Sequence, residues 1–357
     1  MDHDKPSIAV FYLAREAEGH AALQRFADSY RQHHAGVAHV LVPIYKGFSS
    51  AAALQRAREV FSGLASDEVL LNDDMLDIGA YIDAASRCNA RYVCFMNTHA
   101  TLRAPGWLSA LYGALRGDGN VGLAGMHGSY ESLYLSSALV SKAIWLASTK
   151  LQPFDADLLA HFRFAITPVV PDYGQRRRSV RQVLSGLRRD PESLWQKFWD
   201  ERTTAGDTYG YLSAFPRTLR PHIRSNGFMV LRETLLRHYP RIAPTKEAAY
   251  AFESGPESLS DLVKRDQRTL VVVGTDGRTY GEAAWHSSKT FRALSTRHSF
   301  LDDNQTRAFA ALSPLEQQTL MMMTWGVSSD GRANVCDLGF DFSVPASIVN
   351  QALSDRA

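Results

Sequence analysis

Polar and charged residues follow the strand-like segments in the first part of the chain. Arg15 follows the first segment, Lys46 the second and Asp77 the third, and Asn97 and His99 come after the fourth. The carboxyl ends of parallel strands share one edge of a sheet, and ligands of open α/β folds bind at that edge. The spacing therefore predicts a polar edge suited to an anionic ligand. The alternative is that these loops are polar only because they lie at the surface.

Glu253 is the candidate for acid–base chemistry. It lies between Phe252 and Ser254, where we predict that a loop enters a helix. An apolar neighbour raises the pKa of a carboxyl group, and such a carboxylate can act as a general base. The alternative is that Glu253 caps the following helix, because acidic residues are favoured in a first turn.

Short apolar runs alternate with helical patterns through the first 130 residues. Strands that alternate with helices form a mostly parallel sheet with helices on both faces, so we predict an α/β fold. The predicted strands are 7–13, 39–44, 68–71, 91–97 and 121–126, and the predicted helices are 20–34, 51–61, 78–86 and 107–115.

The remainder of the chain divides by its patterns into three further parts. Residues 131–217 are helical in pattern, and 218–300 return to mixed helices and strands. Residues 301–357 are predicted to form a C-terminal helical extension. In this part Ser313 and Glu316 have the spacing of a capping box, which opens a helix.

Two familiar patterns occur where their usual functions do not fit. Gly117, Gly119 and Gly122 match GxGxxG, but a dinucleotide-binding loop follows a strand and opens a helix, whereas this match follows a helix and precedes a strand. We predict an ordinary turn there. Asp155 and Asp157 match DxD, but they lie in the helical middle, where acids are typical of a first turn.

The composition excludes several classes of protein. Of the 357 residues, 45% are hydrophobic, and 39 Lys and Arg balance 37 Asp and Glu, without the basic excess of a nucleic-acid binder. Three cysteines without a CxxC pair argue against a disulfide framework and a zinc cage. No apolar run reaches the ~18 residues of a membrane span, and the start lacks a signal-peptide pattern, so we predict a cytoplasmic protein.

Four stretches of the chain carry motifs whose order is informative. They are DIGAY at 77–81, RYVCFMNTH at 91–99 with GWL at 106–108, VGLAG at 121–125 running to Gly128-Ser129, and IRSNGFMVLRETLL at 223–236 with FESG at 252–255. In this order they resemble the GT-A glycosyltransferases, most closely the bacterial enzymes similar to glycosyltransferase family 2. The later pattern from Trp285 through TFR at 290–292 to DNQT at 303–306 is similar to the ending of a subgroup of these proteins.

The resemblance implies a GT-A fold, which is Rossmann-like, with 1–130 as the nucleotide-sugar half and 218–300 as the acceptor half. It implies transfer of a sugar from a nucleotide-sugar donor to a hydroxyl of a surface polysaccharide or lipid-linked glycan, with inversion and with Glu253 as the base. Residues 131–217 are then a helical insertion. The residues that it implies near the donor are Arg15, Lys46, Asp77, Gly79, Asn97, His99 and His286, with Trp107 and Asn226 as residues that shape the pocket.

The chain departs from this family at the metal-binding motif. Family members usually have two aspartates there, whereas this chain has Asn97-Thr98-His99, and Asn and neutral His are poorer ligands for Mg²⁺ than carboxylates are. Three interpretations stay open. A metal, more readily Mn²⁺ than Mg²⁺, is held loosely by His99 and His286; the cations of the polar edge neutralise the diphosphate without a metal; or the site is inactive. We favour action with little or no metal.

An arginine-dense stretch, 176–189, precedes a segment that contains Trp195 and Trp199. Its apolar stripe and its cations fit contact with an anionic membrane face, so one prediction is peripheral contact with the inner membrane through 176–199. The alternative is a solvated helix face over a buried stripe.

Two other functions compete with sugar transfer. One is a catalytically inactive GT-A-like protein that binds a glycan or a partner, which the missing aspartates favour. The other is a sugar-phosphate nucleotidyltransferase. Such enzymes usually have a Gly-rich loop with Arg and Lys after the first strand, and LAREAEG at 13–19 does not supply one. The sequence predicts no nucleic-acid partner.

Overall fold

The chain divides into two units in its computed structural model, which describes residues 8–117, 119–149, 161–166, 191–204 and 210–326. The first unit takes its described residues from Met1–Ser129 and Pro221–Ala308, and the second from Tyr130–Arg220 and Phe309–Ala357. The second unit therefore contains residues of both the predicted helical insertion and the predicted C-terminal extension.

The strands of the described residues lie in three sheets, all in the first unit. They are β1 (Ile8–Arg15), β2 (Val40–Lys46), β3 (Val69–Leu71), β4 (Tyr92–Met96), β5 (Thr101–Leu102), β6 (Val121–Gly125), β7 (Gly128–Ser129), β8 (His222–Ile223), β9 (Gly227–Leu231), β10 (Thr269–Val273), β11 (Thr279–Gly281) and β12 (Leu301–Asp302).

The largest sheet has eight strands in the order β11-β10-β6-β9-β4-β1-β2-β3. All of these strands except β9 and β11 run in one direction, which confirms the prediction of a mostly parallel sheet in an α/β fold. In the register, Val10 of β1 lies between Leu41 of β2 and Cys94 of β4. The short strand β12 pairs antiparallel with β5, so the predicted C-terminal extension begins with a strand that belongs to the first unit.

Side chains of β1 alternate between the two faces of this sheet, and helices pack on both. On one face Tyr12 stacks on Phe26, with ring centroids 3.7 Å apart. On the other face Phe11 stacks on Phe95 of β4, which stacks in turn on Tyr81, at 5.4 and 4.7 Å. Phe26 and Tyr81 come from different helices. Burial of these aromatic rings fixes both helices against the sheet.

Capping residues explain where several helices begin. Thr245 accepts from the backbone N–H of Ala248, and the Lys, Glu and Ala residues that follow have high helix propensity. The segment around Glu253 is therefore a helix, and the predicted acidic loop is wrong. The helices are α1 (His20–Gln32), α2 (Ala51–Val60), α3 (Asp77–Arg87), α4 (Trp107–Gly117), α5 (Leu133–Thr149), α6 (Arg163–Ile166), α7 (Pro191–Thr203), α8 (Arg232–His238), α9 (Lys246–Ser254), α10 (Leu259–Arg265), α11 (Asn304–Ala310) and α12 (Pro314–Trp325).

The described part of the second unit contains helices and no strand. Trp199 of α7 is fully buried and donates from Nε1 to the hydroxyl of Tyr134 at 3.0 Å. Its burial contradicts its use as a membrane-facing residue, and the arginines of 176–189 lie outside the described residues. Ser313 and Glu316 form the predicted capping box at the start of α12. Among the residues that the structure describes, no helix is long and apolar enough to cross a membrane.

Candidate functional site

The switch point of the large sheet lies between β1 and β4. From β1 the chain adds β2 and β3 on one side, and it then returns to place β4 on the other side of β1. In open α/β sheets, ligands bind at the carboxyl ends of the strands at such a point. Here those ends carry Arg15 from β1, Lys46 from β2 and Asn97 after β4. We call this place the carboxyl edge.

Asp73, which follows β3, holds the two cations of the carboxyl edge. It accepts from Nε and Nη2 of Arg15 at 3.3 and 3.2 Å, and it forms an ion pair with the Lys46 ammonium. The side chain of Lys46 is 1% exposed and that of Asp73 is 46% exposed. The hydrogen bonds from Arg15 and Lys46 lower the pKa of Asp73 to about 2. Both cations are therefore paired with one carboxylate, which is absent from the residues predicted near the donor.

Further charged groups lie near Asp73, Arg15 and Lys46. His99 Nε2 lies 3.3 Å from Oε2 of Glu18, and Oε1 of Glu18 lies 3.5 Å from Nη1 of Arg15. Asp77 begins α3 and is exposed. Partial desolvation by the atoms packed around its carboxyl group raises its pKa, while Lys46 and Arg15 oppose that shift. The structure thus brings four predicted residues together. Arg15 and Lys46 already face carboxylates, so an anionic ligand at this edge has to displace one of them.

A buried hydrogen-bond network lies at the carboxyl end of β6. The hydroxyl of Ser299 donates to the Leu301 carbonyl at 2.6 Å, so it accepts from Nε2 of His127 at 2.9 Å. Asn226 Nδ2 lies 2.9 Å from Nδ1 of His127 and 2.6 Å from Oδ2 of Asp303. Burial lowers the pKa of His127 to about 4, although Asp303 opposes the shift. His127 is therefore neutral, and the network fastens the start of β9 to the loop around β12.

Two buried amide oxygens of this region, Oδ1 of Asn97 and Oδ1 of Asn226, have no hydrogen-bond partner among the described residues. The two residues are adjacent, because the backbone N–H of Asn97 donates to the Asn226 carbonyl at 3.4 Å. A buried polar atom without a partner costs about 1–3 kcal/mol. These oxygens are therefore candidates to accept hydrogen bonds from hydroxyl groups of a ligand.

Glu253 lies in the last turn of α9, where three contacts hold its carboxylate. Oε1 lies 3.2 Å from Nη1 of Arg224, and Oε2 accepts from the backbone N–H of Ser225 at 2.9 Å and from its hydroxyl. Burial alone would raise the pKa of Glu253, but Arg224, His222 and Ser225 outweigh it, so the pKa is lowered. The predicted raised pKa is wrong, because the facing cation outweighs the apolar neighbour Phe252.

The alternative role of Glu253, as the cap of the following helix, is also wrong. Ser258 caps α10 and accepts from the backbone N–H of Asp261. The carboxylate of Glu253 instead fastens the turn that contains Ser225, between β8 and β9.

Other predicted residues serve the core or lie apart from the carboxyl edge. A Cβ added at Gly79 would lie 3.1 Å from Cβ of Met75, so its small size serves packing of α3 against the residues that precede it. Trp107 is fully buried and donates to a backbone carbonyl at 3.1 Å. His286 is exposed on a short helix after β11. Because β11 is four strand positions from β4, roughly 19 Å across the sheet, the structure gives no contact between His286 and His99 among its described residues.

The donors at the end of β4 fit a hard metal ion poorly. In the described residues no group of three or more His, Cys, Asp and Glu side chains is arranged to hold a metal. His99 faces Glu18, and Asp73 is occupied by two cations. Mg²⁺ and Mn²⁺ favour several carboxylate oxygens. Metal binding by His99 and His286 stays a prediction without support from these donors.

The structure describes the GxGxxG pattern but not the DxD pattern. Gly117 ends α4, Gly119 lies between α4 and β6, and Gly122 lies within β6, which confirms a position unlike that of a dinucleotide loop. Asp155 and Asp157 lie outside the described residues.

Three charged residues of the site are missing from the residues predicted to act near the donor: Asp73, Glu18 and Arg224. Asp73 carries a signal in the sequence, because it follows the third strand as Asp77 does. Glu18 and Arg224 carry none, because their partners His99 and Glu253 are distant in the chain.

No protein-family model matches the chain. No sequence among curated proteins matches it either. What the chain does must therefore be argued from the side chains of the carboxyl edge and their chemistry.

Proposed function

We propose that the chain is a GT-A-type glycosyltransferase that transfers a sugar from a nucleotide sugar to a hydroxyl of a surface polysaccharide or lipid-linked glycan. The observation that carries the proposal is the gathering of Arg15, Lys46, Asp77 and His99 at the switch point of a mostly parallel sheet. Ligands of α/β proteins bind at this point. The resemblance to GT-A enzymes implies that these same residues lie near the donor.

In this proposal the donor diphosphate replaces Asp73. The Asp73 side chain is half exposed and can rotate into solvent, whereas Lys46 is buried and stays in place. A diphosphate accepts the hydrogen bonds that Arg15 and Lys46 now donate to Asp73, so the two cations stabilise the leaving group without a metal. Asp73 is then an internal counter-ion that keeps Lys46 paired when no donor is bound.

The transfer step forms a bond between the acceptor oxygen and the anomeric carbon and breaks the bond from that carbon to the diphosphate. Direct displacement inverts the anomeric carbon, and the acceptor proton passes to a base. Glu253 is that base in the proposal; it is ionised at neutral pH, although its lowered pKa makes it a weaker base than an unperturbed carboxylate. To receive the proton, Oε2 exchanges a hydrogen bond from Ser225 for one from the acceptor hydroxyl, while Oε1 stays beside Arg224.

The contacts of Glu253 also favour a second candidate function. Its carboxylate is held by Arg224 and twice by Ser225, and Asn97 and His99 stand where the resembling family has aspartates. These features fit a GT-A-like protein that binds a nucleotide sugar or a glycan without transferring sugar. Binding is common to both candidates, and turnover separates them.

Calorimetric titration with nucleotides and nucleotide sugars, each with Mg²⁺, Mn²⁺ or EDTA, tests the donor site. We expect binding of one nucleotide class that survives EDTA. Arg15→Gln should weaken it about tenfold, because a hydrogen bond to a charged group is lost, and Asp73→Asn should tighten it, because the competing carboxylate is gone. The control is Arg25→Gln, an exposed arginine of α1. No binding of any nucleotide by the folded protein contradicts the transferase and favours the second candidate in its glycan-binding form.

Product analysis then separates the candidates. In a transferase, Glu253→Gln abolishes turnover and leaves donor affinity unchanged, because the amide cannot accept the proton. Binding of the donor by the unaltered protein without turnover, across a panel of glycan acceptors, supports the second candidate.

A further inference from the structure

A polar cavity lies at the edge of the eight-stranded sheet opposite to the carboxyl edge. Its volume is about 650 Å³, which is ordinary for a small-ligand site. It adjoins Tyr92 at the start of β4, Val121 at the start of β6 and Leu231 at the end of the antiparallel β9. The five residues of β4 separate it from the carboxyl edge by roughly 17 Å. We call it the amino-edge cavity.

Four arginines and two carboxylates line the amino-edge cavity. Arg237 forms an ion pair with Asp266, which lies 2.8 Å from Nε2 of His238 as well, and Glu233 is exposed. Across the described ranges of the chain, the other three arginines have no ion pair with a carboxylate. They are Arg91, Arg116 and Arg268.

Among the described residues, neutral groups hold these three arginines of the cavity lining in place. The guanidinium carbon of Arg91 lies 5.6 Å from the centroid of the Tyr92 ring. Nη1 of Arg116 donates to the Tyr112 hydroxyl at 3.2 Å. Nη1 of Arg268 donates to the carbonyl of Gly119. A neutral partner orients a guanidinium without cancelling its charge, so the described lining of the cavity keeps an excess of positive charge.

Two glycines of the GxGxxG pattern support this arrangement. A Cβ added at Gly122 would fall 2.6 Å from Cβ of Arg268 and 2.6 Å from Cγ1 of Val263, so only glycine lets Arg268 lie across β6. Gly119, whose carbonyl receives the guanidinium, has a φ of +69°, a conformation that favours glycine. Two glycines of the pattern therefore position Arg268 at the cavity, which is a different role from that of a dinucleotide-binding loop.

We propose that the amino-edge cavity binds a phosphorylated small molecule at a site separate from the donor site. A phosphate group carries up to two negative charges and several acceptor oxygens, which match guanidinium groups that lack a carboxylate partner. The cavity is larger than one phosphate, and Leu115, Val121 and Leu231 give apolar surface for the rest of the molecule. The same phosphate chemistry is present in a soluble metabolite and in a lipid headgroup, and the test below separates these sources.

Calorimetric titration with inorganic pyrophosphate tests the site. The double variant Arg91→Gln/Arg116→Gln should bind at least about tenfold more weakly, because two charge-assisted contacts are lost. The matched control is Arg25→Gln/Arg56→Gln, which removes the same charge from exposed positions on α1 and α2. Arg15→Gln, which alters the donor site alone, should leave this binding event unchanged.

The second arm uses sedimentation with vesicles that contain phosphatidic acid. Retention that the cavity variant loses and the control keeps identifies a lipid phosphate as the ligand, whereas pyrophosphate binding without retention identifies a soluble one. The four arginines substituted in the cavity variant and its control are exposed, and thermal unfolding verifies that the variants are folded. Equal behaviour of the cavity variant and its control in both arms overturns the proposal.

Discussion

The two edges of the eight-stranded sheet hold their cations in opposite ways. At the carboxyl edge, Arg15 and Lys46 share the carboxylate of Asp73, and Arg15 also faces Glu18, so both cations already have carboxylate partners. At the amino edge, an aromatic ring, a hydroxyl and a backbone carbonyl orient three arginines without balancing them. The number of arginines at a surface therefore does not predict whether that surface attracts an anion. The partners of those arginines decide it.

The charges at the two edges also differ in how much they contribute to the stability of the fold. The Lys46 ammonium is buried, so it depends on its carboxylate. The arginines of the amino-edge cavity are exposed, and exposed charges contribute little to folding. We therefore expect the carboxyl edge to respond strongly to loss of charge and to pH, and the amino edge to respond mainly in ligand binding.

The largest expected effect concerns pH at the carboxyl edge. The pKa of His127 is about 4 in the folded protein, against 6.5 for an unperturbed histidine. Within this interval the unfolded chain binds a proton that the folded protein does not, so stability falls as the pH drops from 6.5 to about 4, by up to about 3 kcal/mol. His127→Gln keeps hydrogen-bonding groups and removes this dependence. Urea unfolding across the interval measures it, and an unchanged pH profile in the variant contradicts a buried neutral His127.

The next effect compares loss of charge at the two edges. Asp73→Asn leaves the buried ammonium of Lys46 without its carboxylate and should cost about 2 kcal/mol of unfolding free energy. Asp74→Asn, at an exposed neighbour without an ion pair to any described residue, and Arg116→Gln at the amino edge should each change it by less than ~0.5 kcal/mol. Urea denaturation at neutral pH measures all three. Equal losses in Asp73→Asn and Arg116→Gln would remove the contrast between the edges.

The helices and strands of the first part of the chain could be predicted because their patterns are local. The predicted ends of β1, β2, β4 and β6 agree with the structure within two residues, since each strand is a short apolar run buried in the sheet. The helix α9 was predicted as a loop. Its sequence, KEAAYAFES, favours a helix by local propensity. The prediction of a loop followed instead from the resemblance to the acidic loop of the GT-A enzymes.

The site could be predicted only to the level of which residues share an edge. Topology brings Arg15, Lys46 and His99 to the carboxyl ends of neighbouring strands, and the sequence indicates those strands. It does not indicate that Asp73 neutralises the cations, or that Arg224 lowers the pKa of Glu253. These contacts join residues that are distant in the chain, so their distances depend on the folded packing and not on any local pattern.

The smallest expected effect tests how the amino edge is built, with one substitution at two glycines. Gly122→Ala places a methyl group against Val263 and Arg268 and should cost about 1 kcal/mol through overpacking. Gly113→Ala in α4 meets no atom within 4 Å, and alanine favours a helix, so it should raise stability by up to about 1 kcal/mol. Thermal unfolding measures both changes. Because Gly122→Ala also displaces Arg268, it should weaken pyrophosphate binding, whereas Gly113→Ala should not. Unchanged binding in Gly122→Ala would mean that Arg91 and Arg116 suffice for the phosphate, and the position of Arg268 would then be a matter of packing alone.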